Sequence, residues 1–331
     1  MNCAYLAFTD RGMALAHRLA QAQPGTVDRC GKDGVRLGDW TSRNFARCNA
    51  LVFVGAVGIA VRAIAPHCRS KATDPAVVVV DEAGQFAIPV LSGHLGGANA
   101  LARTLAAACG AVPVITTATD VRGVFAVDEW AKQAGCAVLE PERIKQVSGR
   151  LLAGEPVGFW SEFPVNGTPP AGVSPAPAQQ ADFALTLFPQ GEGLHLVPVI
   201  GVLGVGCRRG TTAQQLEAAF AAFCARYALS PRCICAAASI DLKQNEAGLL
   251  EFCAAHRWAV SFYSAGQLKT VPGNFTPSAF VCSVTGVDNV CERAAALAAG
   301  GTIRIPKQAA DGVTFALALR PYAPDWRNQN G

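Results

Sequence analysis

The chain has 331 residues, 51% of them hydrophobic, and a formal net charge of +4. That length predicts two or three domains with full cores, and so weak a charge excludes the clustered basic stripe of a nucleic-acid binder while suiting a small anionic ligand. The thirteen cysteines are scattered singly apart from Cys233 and Cys235, with no C-x-x-C pair, which argues against a zinc site.

MNCAYLAFTDRG turns polar after eight residues, so no signal peptide is expected. No apolar run reaches the ~18 residues of a membrane span. A leaderless chain with unpaired cysteines is expected in the cytoplasm, where the thiols act as small core residues. CAYLAF (3–8) predicts a strand, with Thr9 and Asp10 capping the helix that follows. ALVFVG (50–55) predicts a strand, a glycine turn and a helix. AVVVVD (76–81) and FAIPVL (86–91) predict strands flanking the turn EAG, with Pro89 placing the second at an edge or ending it early. ANALARTLAAACG (98–110) predicts a helix closed by Gly110, and VPVITT (112–117) another strand.

Residues 135–195 change character: PVNGTPPAGVSPAPAQQ (164–180) is proline-rich and predicts a loop or linker. A second α/β pattern begins at VPVIGVLGVGC (197–207), with helices over 213–226, 244–255 and 287–299 and strands near 233–240, 258–263 and 313–319. The fold class is α/β: N-terminal and C-terminal three-layer domains with largely parallel or mixed sheets, over 1–134 and 197–331. A small central segment, 135–196, joins them.

Three strand-to-helix segments of the N-terminal domain carry chemistry, and the reading places them at one sheet edge. In GAVGIAVRAIAP, Gly55 and Gly58 free backbone N–H groups for an anion and Arg62 adds a fork of donors; the plainer reading is a tight turn beside a surface arginine. In VLSGHLGGANALA, His94 lies in the loop before a helix, Ser92 and Asn99 flank it, and Gly96 and Gly97 let a ligand approach the backbone. In TTATDVRGVFAVDEWA, Thr116, Thr117, Thr119 and Asp120 form a site wall or cap a helix, while Asp128 and Glu129 start the next helix and favour its dipole. Between these, Lys71 and Asp81 stand at opposite ends of a buried strand; Asp74 and Glu82 read as turn residues.

In the last third, Gly204, Gly206, Arg208 and Arg209 form a basic glycine turn. Lys243 and Glu246 follow the next strand, and Thr285 and Gly286 stand at a helix start. There is no G-x-S-x-G, Walker loop or H-E-x-x-H, and neither glycine turn has the dinucleotide spacing.

GAVGIAVRAIAP, KATDPAVVVVDEAGQFAIPVLSGHLGGANALA and VITTATDVRGVFAVDEWA together resemble the N-terminal region of the cobalt-precorrin-5A hydrolase family (CbiG) of anaerobic cobalamin biosynthesis. GVLGVGCRRGTT, SIDLKQNEAGL and TGVDNVCERAA resemble its C-terminal domain. The resemblance implies opening of the ring-A δ-lactone of cobalt-precorrin-5A, with the C20 fragment leaving as acetaldehyde to give cobalt-precorrin-5B. The cobalt would come with the substrate, so neither a cofactor nor a metal of the protein's own is expected. On this reading His94 is the candidate base, and the Gly96 and Gly97 amides with Ser92 are oxyanion donors. His94 or Asp120 assists carbon–carbon cleavage, and Arg62, Arg208 and Arg209 hold carboxylate arms. Transient transfer from neighbouring pathway enzymes is expected, with no nucleic-acid or membrane partner. The alternative is a corrinoid carrier that does no chemistry.

Overall fold

The computed structural model describes residues 2–31, 33–70 and 73–329. Residues 1–130 with 148–155 form one unit, and residues 131–147 with 156–331 the other. The first runs β1 (Cys3–Ala7), α1 (Asp10–Ala22), β2 (Gly25–Arg29), α2 (Leu37–Arg47), β3 (Ala50–Val54), α3 (Val57–Ile64), β4 (Ala76–Val80), β5 (Phe86–Leu91), α4 (Ala98–Cys109) and β6 (Val112–Pro113). Then come α5 (Ala118–Arg122) and α6 (Val127–Gln133). The strands form one sheet in the order β2-β1-β3-β4-β5-β6. β1, β3 and β4 are buried at every residue, as their unbroken apolar runs demand of strands covered on both faces. Alternate residues serve opposite layers. Val52 and Val78 pack under α1 and α4 with Leu19 and Leu105. Leu51, Phe53, Val77 and Val79 pack under α2 and α3 with Trp40 and Ile64. The Thr9 hydroxyl accepts from Gly12 N and caps α1, as expected.

One reversal decides where the candidate residues go. All neighbouring pairs are parallel except β4 and β5. The connection between those two is only 81–85, far too short for a parallel crossover of a dozen or more residues. Asp81 closes it, its carboxylate accepting from the amides of Ala83, Gln85 and Phe86. Leu91 therefore lies opposite Val77, where β4 begins, and β6 runs parallel to β5. The loops after β5 and β6 share one end of the sheet. Gly55, Gly58 and Asp81 follow β3 and β4 at the other, about 16 Å away along five-residue strands. The expectation of three loops at one edge is corrected to two. Pro89 pairs only towards β4, because β6 reaches no further than Phe86 and Ala87. The strand expected over 112–117 stops at Pro113, which has no N–H for the ladder; Val114 N makes the last bond, to Ala87 O.

In the second unit the elements are β7 (Cys136–Val138), α7 (Ile144–Leu152, whose residues from Ser148 on belong to the first unit), β8 (Val157–Ser161), β9 (Val173–Pro175), β10 (Phe183–Leu185) and β11 (Leu194–Pro198). The chain continues through β12 (Gly201–Cys207), α8 (Ala213–Tyr227), β13 (Ile234–Ile240), α9 (Ala247–Ala255), β14 (Ala259–Tyr263), α10 (Ala265–Lys269), α11 (Ala279–Thr285), α12 (Cys291–Ala299), β15 (Thr302–Ala310) and β16 (Val313–Leu319). Two five-stranded sheets result, β7-β11-β10-β8-β9 and β14-β13-β12-β16-β15. The proline-rich stretch read as a loop holds β9, paired parallel to β8. The apolar run from residue 197 divides at Val199, β11 joining the central sheet and β12 the C-terminal one. Thr285 ends α11 and Gly286, at φ 75°, caps it, so these residues close a helix rather than open one.

α12 is fastened by Glu292, 2% exposed, whose carboxylate accepts from Thr276 N and Oγ1, Asn289 Nδ2 and Lys307 N at 2.6–3.0 Å. It also lies hard on β12. A Cβ on Gly204 would sit 1.9 Å from Cys291 O, and one on Gly206 2.3 Å from Thr314 Oγ1. These glycines, expected to line an anion-binding turn, are spaces that α12 and β16 fill. Gly204→Ala is expected to lower stability by roughly 1–3 kcal/mol through overpacking, read as a lower urea midpoint with unchanged slope. Gly58→Ala, whose Cβ meets nothing within 4 Å, is expected to be neutral or stabilising by up to about 1 kcal/mol.

Candidate functional site

The loop after β5 is shaped by its own backbone. Ser92 adopts a left-handed conformation at φ 55°, and its hydroxyl donates to Asp74 O at 3.0 Å. A Cβ on Gly96 would lie 2.3 Å from Ser92 Cβ, while Gly97 takes φ 86° as the residue before α4. Ala98 N then donates to Ser92 O at 3.1 Å and Asn99 N to Gly93 O at 2.9 Å. The glycine pair meets the demands of a loop folding back on itself, and these two amides of the first turn of α4 are spent within it.

The turn aims His94 into a cluster of titratable side chains. His94 Nε2 lies 2.8 Å from Asp120 Oδ2 and 3.4 Å from Thr119 Oγ1. Its other ring nitrogen, Nδ1, is 3.3 Å from Asp128 Oδ1. That approach falls outside hydrogen-bond geometry and leaves Asp128 Oδ1 as a buried oxygen with no hydrogen-bond donor. Asn99 Nδ2 donates to Asp120 Oδ2 at 3.0 Å and to Thr117 Oγ1 at 3.2 Å, and the Thr117 hydroxyl donates to the same Asp120 oxygen. Arg103 Nη2 donates to Asp120 Oδ1 at 2.5 Å, and its Nη1 lies 3.8 Å from Glu129 Oε1. The side chains of His94, Asp120 and Asp128 are 14%, 11% and 8% exposed.

The burial and the charges set the protonation of the cluster. Burial alone pushes the His94 pKa down, and the Asp128 and Asp120 carboxylates at its two ring nitrogens more than reverse that, raising it to about 9. Burial pushes the Asp120 carboxyl up, but Thr117, His94 and Arg103 hold it down at about 2. Glu129 is raised, first by burial and then by the neighbouring charge of Asp120. Coordinating atoms of His94, Asp120 and Glu129 all lie within 4.8 Å of one another, close enough to be drawn around a divalent ion. The site does not fit one well, because the Arg103 guanidinium already lies across the two carboxylates and His94 Nε2 faces Asp120 directly.

Of the residues singled out in the sequence, His94, Asn99, Thr117, Thr119 and Asp120 converge here. Ser92 and Gly96 build the loop, and Thr116 stands exposed in the loop after β6. Lys71 lies outside the described residues. Arg62 is exposed in the last turn of α3. Arg208 and Arg209 are exposed in the loop after β12. β13 runs parallel to β12, so its following loop leaves from the same end of that sheet. There Glu246 accepts from Gly210 N at 2.5 Å and Lys243 Nζ at 2.8 Å, and these partners hold its carboxyl below the usual range.

The sequence reading missed Arg103 and gave Asp128 and Glu129 only a place at a helix start, favouring its dipole. Arg103 had a signal. It is the only charged residue of α4 and stands four positions after Asn99, on the same helix face. The pH behaviour follows from the signs of the shifts. Stabilisation from His94 is fully present below its unfolded value near 6.5 and is lost as pH rises through about 9. Stabilisation from Asp120 is present above 3.8 and lost as pH falls through about 2. The His94 ring proton resonance is expected to titrate near pH 9 by NMR, and Asp128→Asn to bring that midpoint towards neutrality. A His94 midpoint near 6.5 in the unmodified protein would remove the double ion pair.

Comparison with known proteins places the chain in a lineage. Three family models match in chain order: Cobalamin synthesis G N-terminal over residues 39–120, Cobalamin biosynthesis central region over 125–186 and Cobalamin synthesis G C-terminus over 201–318. The chain is 35% identical to the cobalt-precorrin-5A hydrolase of Salmonella typhimurium, over 96% of this chain and 97% of that relative. It is 33% identical to the cobalt-precorrin-5A hydrolase of Priestia megaterium, over 84% and 80% of the two chains. A solved cobalamin biosynthesis protein G homolog from Sulfolobus solfataricus aligns over 97% of both chains with 21% identity and a TM-score of 0.43. Matched in order by the N-terminal, central and C-terminal models, and aligned nearly end to end with a relative at 35% identity, the chain belongs to the cobalamin synthesis protein G family.

Proposed function

We propose that this chain is a cobalt-precorrin-5A hydrolase of anaerobic cobalamin biosynthesis, opening the ring-A δ-lactone with loss of acetaldehyde to give cobalt-precorrin-5B. Its relatives of that name align over most of the chain. The observation that carries the mechanism is the His94 imidazole held between Asp120 and Asp128, with Glu129 beside it.

Lactone hydrolysis needs a base for the attacking water and an acid for the carbonyl or leaving oxygen. The sequence reading takes His94 for the base. With a carboxylate at each ring nitrogen and a pKa raised to about 9, it is an imidazolium at neutral pH and is suited to donate. Glu129, whose carboxyl is raised first by burial and then by the charge of Asp120, is the better base, and coordinating atoms of the two side chains lie within 4.8 Å. In this mechanism Glu129 takes a proton from water, the hydroxide adds to the lactone carbonyl, and His94 donates to the oxygen on which charge develops. Collapse breaks the acyl–oxygen bond and leaves a carboxylate and a C20 alcohol. Removal of the alcohol proton then lets the carbon–carbon bond break, acetaldehyde leaving and the electron pair passing into the macrocycle. Asp120, Asn99 and Thr117 hold the acid in place.

The acetate and propionate arms of such a substrate call for exposed cations, and Arg62 supplies one in the unit that holds the cluster. In this mechanism cobalt arrives as part of the substrate, by transient transfer from a neighbouring enzyme. We place the reaction in the cytoplasm, because all thirteen cysteines are free thiols. Among the described residues, no helix is long and apolar enough to cross a membrane.

Anaerobic incubation with cobalt-precorrin-5A is expected to release acetaldehyde, followed through alcohol dehydrogenase and NADH. Glu129→Gln and His94→Gln are each expected to lower turnover at least ~10²-fold. The pH profile should fall on the alkaline side near 9, and Asp128→Asn should move that limb down. Near-normal turnover in both variants would take the chemistry away from this cluster. Bound pigment without acetaldehyde would make the chain a carrier.

A further inference from the structure

The central sheet carries a hollow that the hydrolytic cluster does not use. Across its three parallel middle strands, Trp160, Ala184 and His195 stand side by side in register. Residues in register on adjacent strands lie about 4.8 Å apart and point to the same face. A methyl group between an indole and an imidazole leaves a gap, and a cavity of about 410 Å³ opens there. That volume is within the range of small-molecule sites. The opposite face of the sheet is ordinary core, with Phe159, Phe183, Leu194 and Leu196 all buried.

The walls combine flat apolar surface with a few fixed polar groups. His195, 4% exposed, is held by Glu140 Oε1 at Nδ1 and Gln190 O at Nε2. Glu162 is saturated, accepting from Thr186 Oγ1, Leu187 N and Arg304 Nη2. Arg304 comes from β15, and its guanidinium carbon lies 5.1 Å from the Phe188 ring centroid. It has no acceptor besides Glu162 among the described residues, and its side chain is 45% exposed. The Trp160 indole N–H has no acceptor among them either.

We infer that this hollow is a binding site for a flat ring bearing one carboxylate, the ring lying against Trp160 and Phe188 and the carboxylate on Arg304. The guanidinium fork matches a planar carboxylate, and the neighbouring Glu162 charge disfavours a dianion such as phosphate. The same chemistry is offered by a free aromatic acid or by one arm-bearing ring of a larger tetrapyrrole. The inference does not rest on the hydrolase reading.

The test uses benzoate and indole-3-acetate on the full chain, with saturation-transfer NMR and tryptophan fluorescence. Binding is expected with Kd at or below roughly 1 mM, and benzamide should bind at least ~10-fold more weakly. Arg304→Gln, a change at an exposed side chain, should weaken the acids by a similar factor. Ala184→Leu, which fills the gap, should abolish binding. Displacement of the probe by cobyrinic acid would assign the hollow to a tetrapyrrole arm; lack of displacement would assign it to a separate small acid. No saturable binding well above 1 mM, or unchanged binding in both variants, would overturn the site.

Discussion

A buried carboxylate has to be surrounded by donors, and Asp120 draws His94, Asn99, Arg103 and Thr117 to itself from the loop after β5, from α4 and from the segment leading into α5. The loop geometry around Ser92 and Gly97 matters because it delivers His94 to that carboxylate. The lone arginine of an alanine-rich helix matters for the same reason. Asp120 is the centre on which the candidate site is assembled.

The arrangement also decides what kind of chemistry the histidine suits. One carboxylate beside an imidazole orients it; two, at both ring nitrogens, keep it charged. Glu129 stands apart from them: burial first, and then the neighbouring charge of Asp120, raises its carboxyl. A proton-rich imidazole and a proton-seeking carboxyl then stand within one ester's reach. Such divergence of neighbouring pKa values is how a site obtains an acid and a base at the same pH.

Much of this was legible in the residues themselves. The parallel strands β1, β3 and β4 followed from unbroken apolar runs, and the first helix from Thr9. SGHLGGAN and TTATD marked the two loops that meet. The end of the sheet at which they meet was misread: Gly55 and Asp81 were expected at the edge of His94, although the short stretch between Val80 and Phe86 forces a reversal that separates them. Other features were hidden for physical reasons. β9 and β10 are three residues each, shorter than any periodicity can reveal, so a five-stranded sheet read as a linker. β15 carries Pro306 and register breaks at Ile303 and Ile305, which erase the alternation that marks a strand. Gly204 looked like a ligand turn because a glycine crowded by a neighbouring helix has the same letter as one that frees an amide. Asp128 and Glu129 fit a helix start so well that their second role, facing His94, left no separate trace.

The two-residue strand β6 has a consequence of its own. It is the last rung on its side of the sheet, joined to β5 only through Phe86 and Ala87, and the segment it leads into supplies Thr117 and Asp120. Detaching that border breaks few ladder bonds and leaves the buried middle strands untouched, so it belongs to the low-energy end of the opening spectrum. Exchange of amide hydrogens at Val114 should then outpace exchange in β3 by orders of magnitude. The side-chain cluster around Asp120 would then come and go with this small cooperative segment, many times for every global unfolding.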